Sequence, residues 1–66
     1  MEIYFLSLDN MSPEEREAAY NDPHFLLHMH PSIDLERNGL LIYWTSSEPI
    51  KNAVPQYADR LTLEKK

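Results

Sequence analysis

The 66-residue sequence has no cysteine and a single glycine, Gly39. Without cysteine, neither a disulfide nor a thiolate metal site can reinforce the fold, so side-chain packing or a partner chain must stabilise it. The lone glycine also excludes a glycine-rich phosphate-binding loop. A domain of this length buries only about 60% of the surface of its unfolded chain, so its stability depends on each large apolar residue.

Long apolar runs are missing as well. No stretch approaches the roughly 18 to 20 apolar residues that cross a bilayer, and Glu2 stands where a secretory signal would carry a base. We therefore expect a cytoplasmic protein without membrane contact. Apolar residues nevertheless make up 42% of the chain, which is typical of a globular rather than a disordered protein. Residues 1–66 are expected to form one small domain.

Positive charge is scarce in the first half of the chain. Residues 1–36 contain eight acids and one base, Arg16, whereas residues 37–66 contain three acids and five bases. Direct nucleic-acid binding needs several lysines or arginines on one face to neutralise phosphates, and this sequence predicts no such patch. The net charge of the chain is −5. A larger protein with a basic surface is therefore a better electrostatic match for it than nucleic acid is.

The dipeptide Asn38-Gly39 stands between two runs in which apolar and polar residues alternate. It is the strongest short-range signal for a β-hairpin, because a two-residue type I′ turn needs both central residues at positive φ. Counting outward from this turn pairs Ile33 with Trp44. One face of the hairpin then collects the apolar residues Ile33, Leu35, Leu40, Ile42 and Trp44. The other face collects Asp34, Glu36, Leu41 and Tyr43.

Two elements are predicted before the hairpin. Residues 2–8 carry apolar side chains on both faces, which is typical of a central strand. The segment 12–15 (Ser-Pro-Glu-Glu) combines an N-cap hydroxyl, a proline at the first helical position and a glutamate that can return a hydrogen bond to the cap. It predicts a helix that begins at Pro13 and ends near Asn21, since the residue before Pro23 disfavours helical geometry.

The segments on either side of the hairpin are more ambiguous. Residues 24–37 could begin as a helix, but alternation with period two fits better and predicts a long strand bent at Pro31. After the return strand, helical spacing of Val54, Tyr57 and Leu61 predicts a second helix, with a strand over residues 60–64 as the alternative. The predicted fold is α+β, an antiparallel sheet of about three strands in the order β-α-β-β-α with two short helices.

Three histidines are the only candidate metal ligands of note. His24, His28 and His30 would share one face of the predicted strand, and imidazoles bind zinc, nickel or copper. Residues four apart on a strand are separated by ~13 Å, so only His28 and His30 could share an ion. Ordinary surface histidines that titrate near pH ~6 are the simpler interpretation. We therefore predict neither a metal nor another cofactor.

Catalysis is not expected either. A carboxylate pair such as Asp34 and Glu36 acts as general acid and base only when a cleft desolvates one member, and a domain this small has little wall to form one. The leading hypothesis is a non-enzymatic interaction protein that docks on a basic surface. If that surface binds nucleic acid, the protein would be an inhibitor or regulator that competes with phosphate, as small phage-encoded inhibitors can.

The residues expected to contact this partner are acids of the first helix and residues of the hairpin face that lacks the core: Glu14, Glu15, Glu17, Asp34, Glu36, Leu41 and Tyr43. An apolar and aromatic centre with a polar rim is typical of a protein interface. The alternative hypothesis is a self-associating subunit that forms a homodimer through a strand edge or sheet face. A third, less favoured hypothesis is a transition-metal-binding protein that uses His28 and His30.

Overall fold

The computed structural model describes residues 1–23 and 31–65. In chain order, its elements are β1 (Glu2–Ser7), α1 (Pro13–Tyr20), β2 (Ser32–Asp34), β3 (Gly39–Trp44), α2 (Ile50–Ala53), a 3₁₀ helix (Pro55–Arg60) and β4 (Leu61–Lys65). The strands form one antiparallel sheet in the order β2-β3-β1-β4. The α+β class is thus confirmed, while the predicted count of three strands is corrected to four. None of the helices formed by the described residues has the length and apolar character needed to span a bilayer.

The core lies on one face of the sheet. Its buried members are Leu6, Leu8, Ala19, Leu40, Ile42, Trp44, Ile50, Val54 and Leu61. Because side chains alternate along a strand, the buried members from β1 and β3 all share this face. Ala19 and Ile50 place α1 and α2 on the same face. Burying one leucine or isoleucine side chain contributes about 1.5–3 kcal/mol, so each of these residues stabilises the fold measurably.

The chain reverses near Asn38-Gly39, but the turn is wider than predicted. Residues 35–38 form the turn, and Ile33 pairs with Leu40 instead of Trp44. Asn38 has a φ of 55°, whereas Gly39 is not at positive φ and begins β3. The partner of Ile33 has moved by four residues. An even displacement leaves the paired side chains on their predicted faces, which is why the division into two faces survives the change of register.

Two residues that were predicted to lie on the core face are exposed instead. Leu35 lies in the turn and is 87% exposed, and Ile33 is 59% exposed because β2 is a short strand at the edge of the sheet. Trp44 is only 5% exposed, as predicted. The part of the predicted long strand that covers residues 24–30, including the three histidines, lies outside the described residues.

The predicted second helix is wrong at its carboxyl end. It is replaced by α2, the 3₁₀ helix and β4, so the strand alternative for residues 60–64 is the correct one. Val54 adopts φ −131° and ψ 65°. Helical geometry is disfavoured there because Pro55 follows and its ring clashes with the backbone of the preceding residue. Leu61 then pairs with Leu6. Hydrogen bonding to the edge of β1 outweighs the helical spacing of the side chains.

Candidate functional site

Helix α1 begins at the capping box that the sequence predicts. Glu15 N donates to Ser12 Oγ at 3.1 Å, and Ser12 N donates to Glu15 Oε1 at 3.0 Å. The hydrogen bonds with Ser12 lower the pKa of the Glu15 carboxyl, and the Arg60 cation adds a smaller effect in the same direction. Carboxylates at this end also interact favourably with the helix dipole. Glu15 is therefore a charged part of the helix start.

Arg16 turns away from the glutamates of its own helix. Its Nη1 donates to Asn38 Oδ1 at 2.9 Å and its Nε donates to Met11 O at 3.4 Å. Glu14 and Glu17 are exposed and one turn apart. The only base of residues 1–36 therefore binds neutral oxygens, and Glu14, Glu15 and Glu17 form what we call the α1 acidic surface.

Asn38 joins the hairpin turn to the loop after β1. Its Nδ2 donates to Asp9 Oδ1 at 3.0 Å, and its carbonyl oxygen accepts from Leu8 N at 2.9 Å. Together with the bond from Arg16, these contacts hold the turn against α1. The sequence indicated Asn38 only as a turn residue, because nothing in the local pattern relates it to positions 9 and 16.

The sheet face opposite the core, called here the second face, carries four half-buried apolar residues: Ile3, Phe5, Leu41 and Tyr43. Leu41 pairs with Phe5, and Tyr43 pairs with Ile3. Asp34 pairs with Gly39 and so shares this face. Three of the predicted contact residues, Asp34, Leu41 and Tyr43, are thus brought together as the hairpin pattern indicated.

Arg37 lies over Phe5 on the second face. Its guanidinium carbon lies 4.4 Å from the centroid of the Phe5 ring. Its Nε binds Asp34 Oδ2 at 2.8 Å, and its Nη1 binds Glu64 on β4. The Arg37 hydrogen bonds lower the pKa of Asp34, and the two carboxylates raise the pKa of Arg37. The charge of Asp34 is therefore balanced within the protein.

The predicted contact residues do not form one surface. Because α1 packs on the core face through Ala19, its glutamates lie on the opposite side of the sheet from Leu41 and Tyr43. Glu36 lies exposed in the turn. Among the predicted contact residues, Glu14, Glu15 and Glu17 are the exposed acids that lie together on one element.

A groove that the sequence did not predict lies along the 3₁₀ helix beside Arg60, and its smaller part reaches α1. It consists of two adjoining depressions of about 530 and 220 Å³ that share Gln56 and Arg60. The larger depression is also lined by Ser7, Asp9, Asn10, Asp59 and Thr62. The smaller one is also lined by Met11, Glu15, Ala18 and Tyr57. We call the two together the Arg60 groove.

Arg60 is held in the wall of this groove by the main chain. Its Nη1 donates to Asp9 O at 2.5 Å and lies 3.4 Å from Ser7 O. These partners are about fifty positions away in the sequence, so no local signal could indicate the groove. Within residues 1–23 and 31–65, no group of three or more histidines, cysteines or carboxylates is placed to hold a metal ion.

Comparison of the chain with protein-family models, with curated proteins and with solved structures found no match. The α1 acidic surface and the Arg60 groove are therefore candidate sites on the basis of their charge, exposure and lining residues alone.

Proposed function

We propose that the protein is a small, acidic, non-enzymatic interaction protein of the cytoplasm that docks its α1 acidic surface on a basic surface of a larger protein. The observation that supports this function is the direction of Arg16. Because its guanidinium binds Asn38 and the Met11 carbonyl, it leaves Glu14 and Glu17 without a neutralising neighbour on their own helix.

The other described arginines are also engaged. Arg37 binds two carboxylates on the second face, and Arg60 binds carbonyl oxygens beside the groove. Within residues 1–23 and 31–65, neither Glu14 nor Glu17 forms an ion pair. Exposed charges of one sign steer an oppositely charged partner and fix its orientation more than they add to affinity. The negative potential of α1 is thus available to a partner.

We propose that the partner surface is a basic groove that binds nucleic acid. Such a groove presents lysines and arginines placed to neutralise phosphates. Carboxylates held on a helix can occupy the same cations, so the protein would inhibit or regulate its partner by excluding nucleic acid. The second face adds Leu41 and Tyr43 as a separate apolar area on the other side of the sheet.

The test is capture of basic proteins on the immobilised full chain. Wild type is compared with Glu14→Gln/Glu17→Gln and with the matched control Glu2→Gln/Glu48→Gln, which removes the same charge from positions outside α1 and keeps an acceptor for the Tyr4 hydroxyl at position 2. We expect the first double variant to capture about tenfold less of a given partner, as two exposed ion pairs of up to ~1 kcal/mol each would imply, and the control to capture as much as wild type.

Two further readouts complete this test. Rising salt should release the partner steeply, because screening weakens exposed ion pairs. Added duplex DNA should also release the partner from the immobilised chain. Equal losses in both double variants, or binding that salt does not change, would overturn the assignment to α1. Simultaneous binding of DNA and the chain by one partner would overturn inhibition by competition.

A further inference from the structure

The two depressions of the Arg60 groove differ in size and lining. The smaller, of about 220 Å³, is below the roughly 300–1,000 Å³ that is usual for small-molecule pockets, so it suits a single side chain. The larger, of about 530 Å³, is open and lined mainly by polar residues, whereas small-molecule sites are mostly apolar. A peptide segment fits this combination better than a cofactor.

The charge of the groove favours a cationic occupant. Asp9, Glu15 and Asp59 line it, while Arg60 is its one cation among the described residues. The Arg60 guanidinium is already bound to main-chain oxygens. A carboxylate has room for about four hydrogen bonds, and Asp9 Oδ1 accepts one from Asn38. The acids therefore retain acceptor positions for an incoming donor.

The smaller depression adds an apolar wall. Met11, Ala18 and the half-buried Tyr57 line it together with Glu15. Lysine and arginine bury their aliphatic stems along apolar surface while the charged head stays near water or a carboxylate. Met11, Ala18 and Tyr57 can therefore pack against such a stem while Glu15 contacts its head.

We infer that the Arg60 groove receives an arginine or lysine side chain from a basic peptide segment of the partner protein, with the rest of the segment lying across the larger depression. This inference rests on the proposed function and specifies its partner. Glu15 and Ala18 belong both to α1 and to the groove, so a segment bound there also lies beside Glu14 and Glu17.

The test is an NMR titration of the full ¹⁵N-labelled chain with two acetylated synthetic peptides. One carries a single arginine among neutral residues, and the other replaces that arginine with citrulline, which has nearly the same shape without the charge. We expect the arginine peptide to shift the signals of Ala18, Asp59 and the Gln56 side-chain amide. The citrulline peptide should bind about tenfold more weakly, the loss of one charge-assisted contact.

Variants of the groove separate this site from the rest of α1. Ala18→Leu fills the smaller depression without changing charge or helix propensity greatly, and Asp59→Asn removes one acid. Each should weaken the arginine peptide about fivefold, whereas Glu48→Gln, which removes an exposed acid from the loop after β3, should not. Backbone spectra of each variant show whether it retains the fold.

The outcomes distinguish the groove from the proposed function. If the arginine peptide binds but Ala18→Leu and Asp59→Asn leave its affinity unchanged, the groove is overturned while docking through α1 stands. If neither peptide binds while partner capture still depends on Glu14 and Glu17, the groove alone is again overturned. If partner capture is also independent of Glu14 and Glu17, both the groove and the proposed docking through α1 are overturned.

Discussion

Gly39 shows how a residue can be required for a reason that its local sequence does not reveal. Its φ is not positive, and the left-handed conformation of the turn belongs to Asn38. A Cβ atom on Gly39 would instead overlap the ring of Phe5 and approach the carbonyl oxygen of Leu6. The ring also supports the Arg37 guanidinium on its face. The absence of a side chain at position 39 makes room for this stack.

Gly39→Ala should therefore destabilise the protein through crowding. We expect a loss of about 1–3 kcal/mol in the free energy of unfolding, the usual result of inserting a methyl group into packed structure. Urea denaturation measures it. In a double-mutant cycle with Phe5→Leu, which removes the ring, the alanine should cost clearly less. An additive cycle would contradict a direct clash between the two side chains.

At the scale of elements, α1 follows from residues that are neighbours in the chain. Ser12 and Glu15 exchange hydrogen bonds across the first turn, and Asn21 ends the helix. β4 has the opposite character, since Leu61 and Leu63 form a strand only because β1 offers an unpaired edge beside them. Local bonding therefore defines the first element, and a distant strand defines the last.

Ser12→Ala should cost about 1 kcal/mol of stability, because the Glu15 amide loses its acceptor. The same change should raise the pKa of the Glu15 carboxyl toward its ordinary value, since one of the hydrogen bonds that lower it is removed. Thermal unfolding and an NMR titration of Glu15 measure the two effects. Ser12→Asp keeps an acceptor at the cap and should restore most of the stability. An unchanged melting temperature in Ser12→Ala would show that the cap is not stabilising.

At the scale of the whole molecule, the described sheet has edges that resist pairing with another chain. β2 has only three residues, and β4 has an irregular register opposite Ile3 and Tyr4 and carries Lys65. Short edges, bulges and edge lysines all disfavour edge-to-edge association. A net charge of −5 adds repulsion between copies. Among the described residues, exposed Ile33 on β2 and exposed Leu63 on β4 favour association of the sheet edges of two copies.

We expect charge and edge geometry to prevail, so the protein should be a monomer at micromolar concentration. Sedimentation velocity over a range of concentrations and salt checks this expectation. A stable dimer would instead support the self-associating subunit. In that case Ile33→Lys and Leu63→Lys, which alter opposite edges of the sheet, would show which edge forms the interface.

The sequence by itself determined the features that arise between neighbouring residues. The capping box specified where α1 begins, because its donors and acceptors lie within four positions. Alternation along the hairpin specified which side chains of β3 face the core. That assignment held although the turn was longer than predicted, since an even change of register does not exchange the faces.

Only the tertiary structure decided the contacts that define the candidate sites. Arg37 meets Glu64 from 27 positions away, and Arg60 meets Asp9 from 51 positions away. No pattern of period two or 3.6 carries such information. The sequence grouped the α1 glutamates with Asp34 by charge, but the structure places them on opposite sides of the sheet. The position of α1 is set by the burial of Ala19 and not by charge. Packing against a distant strand thus determines which charges lie together on one surface.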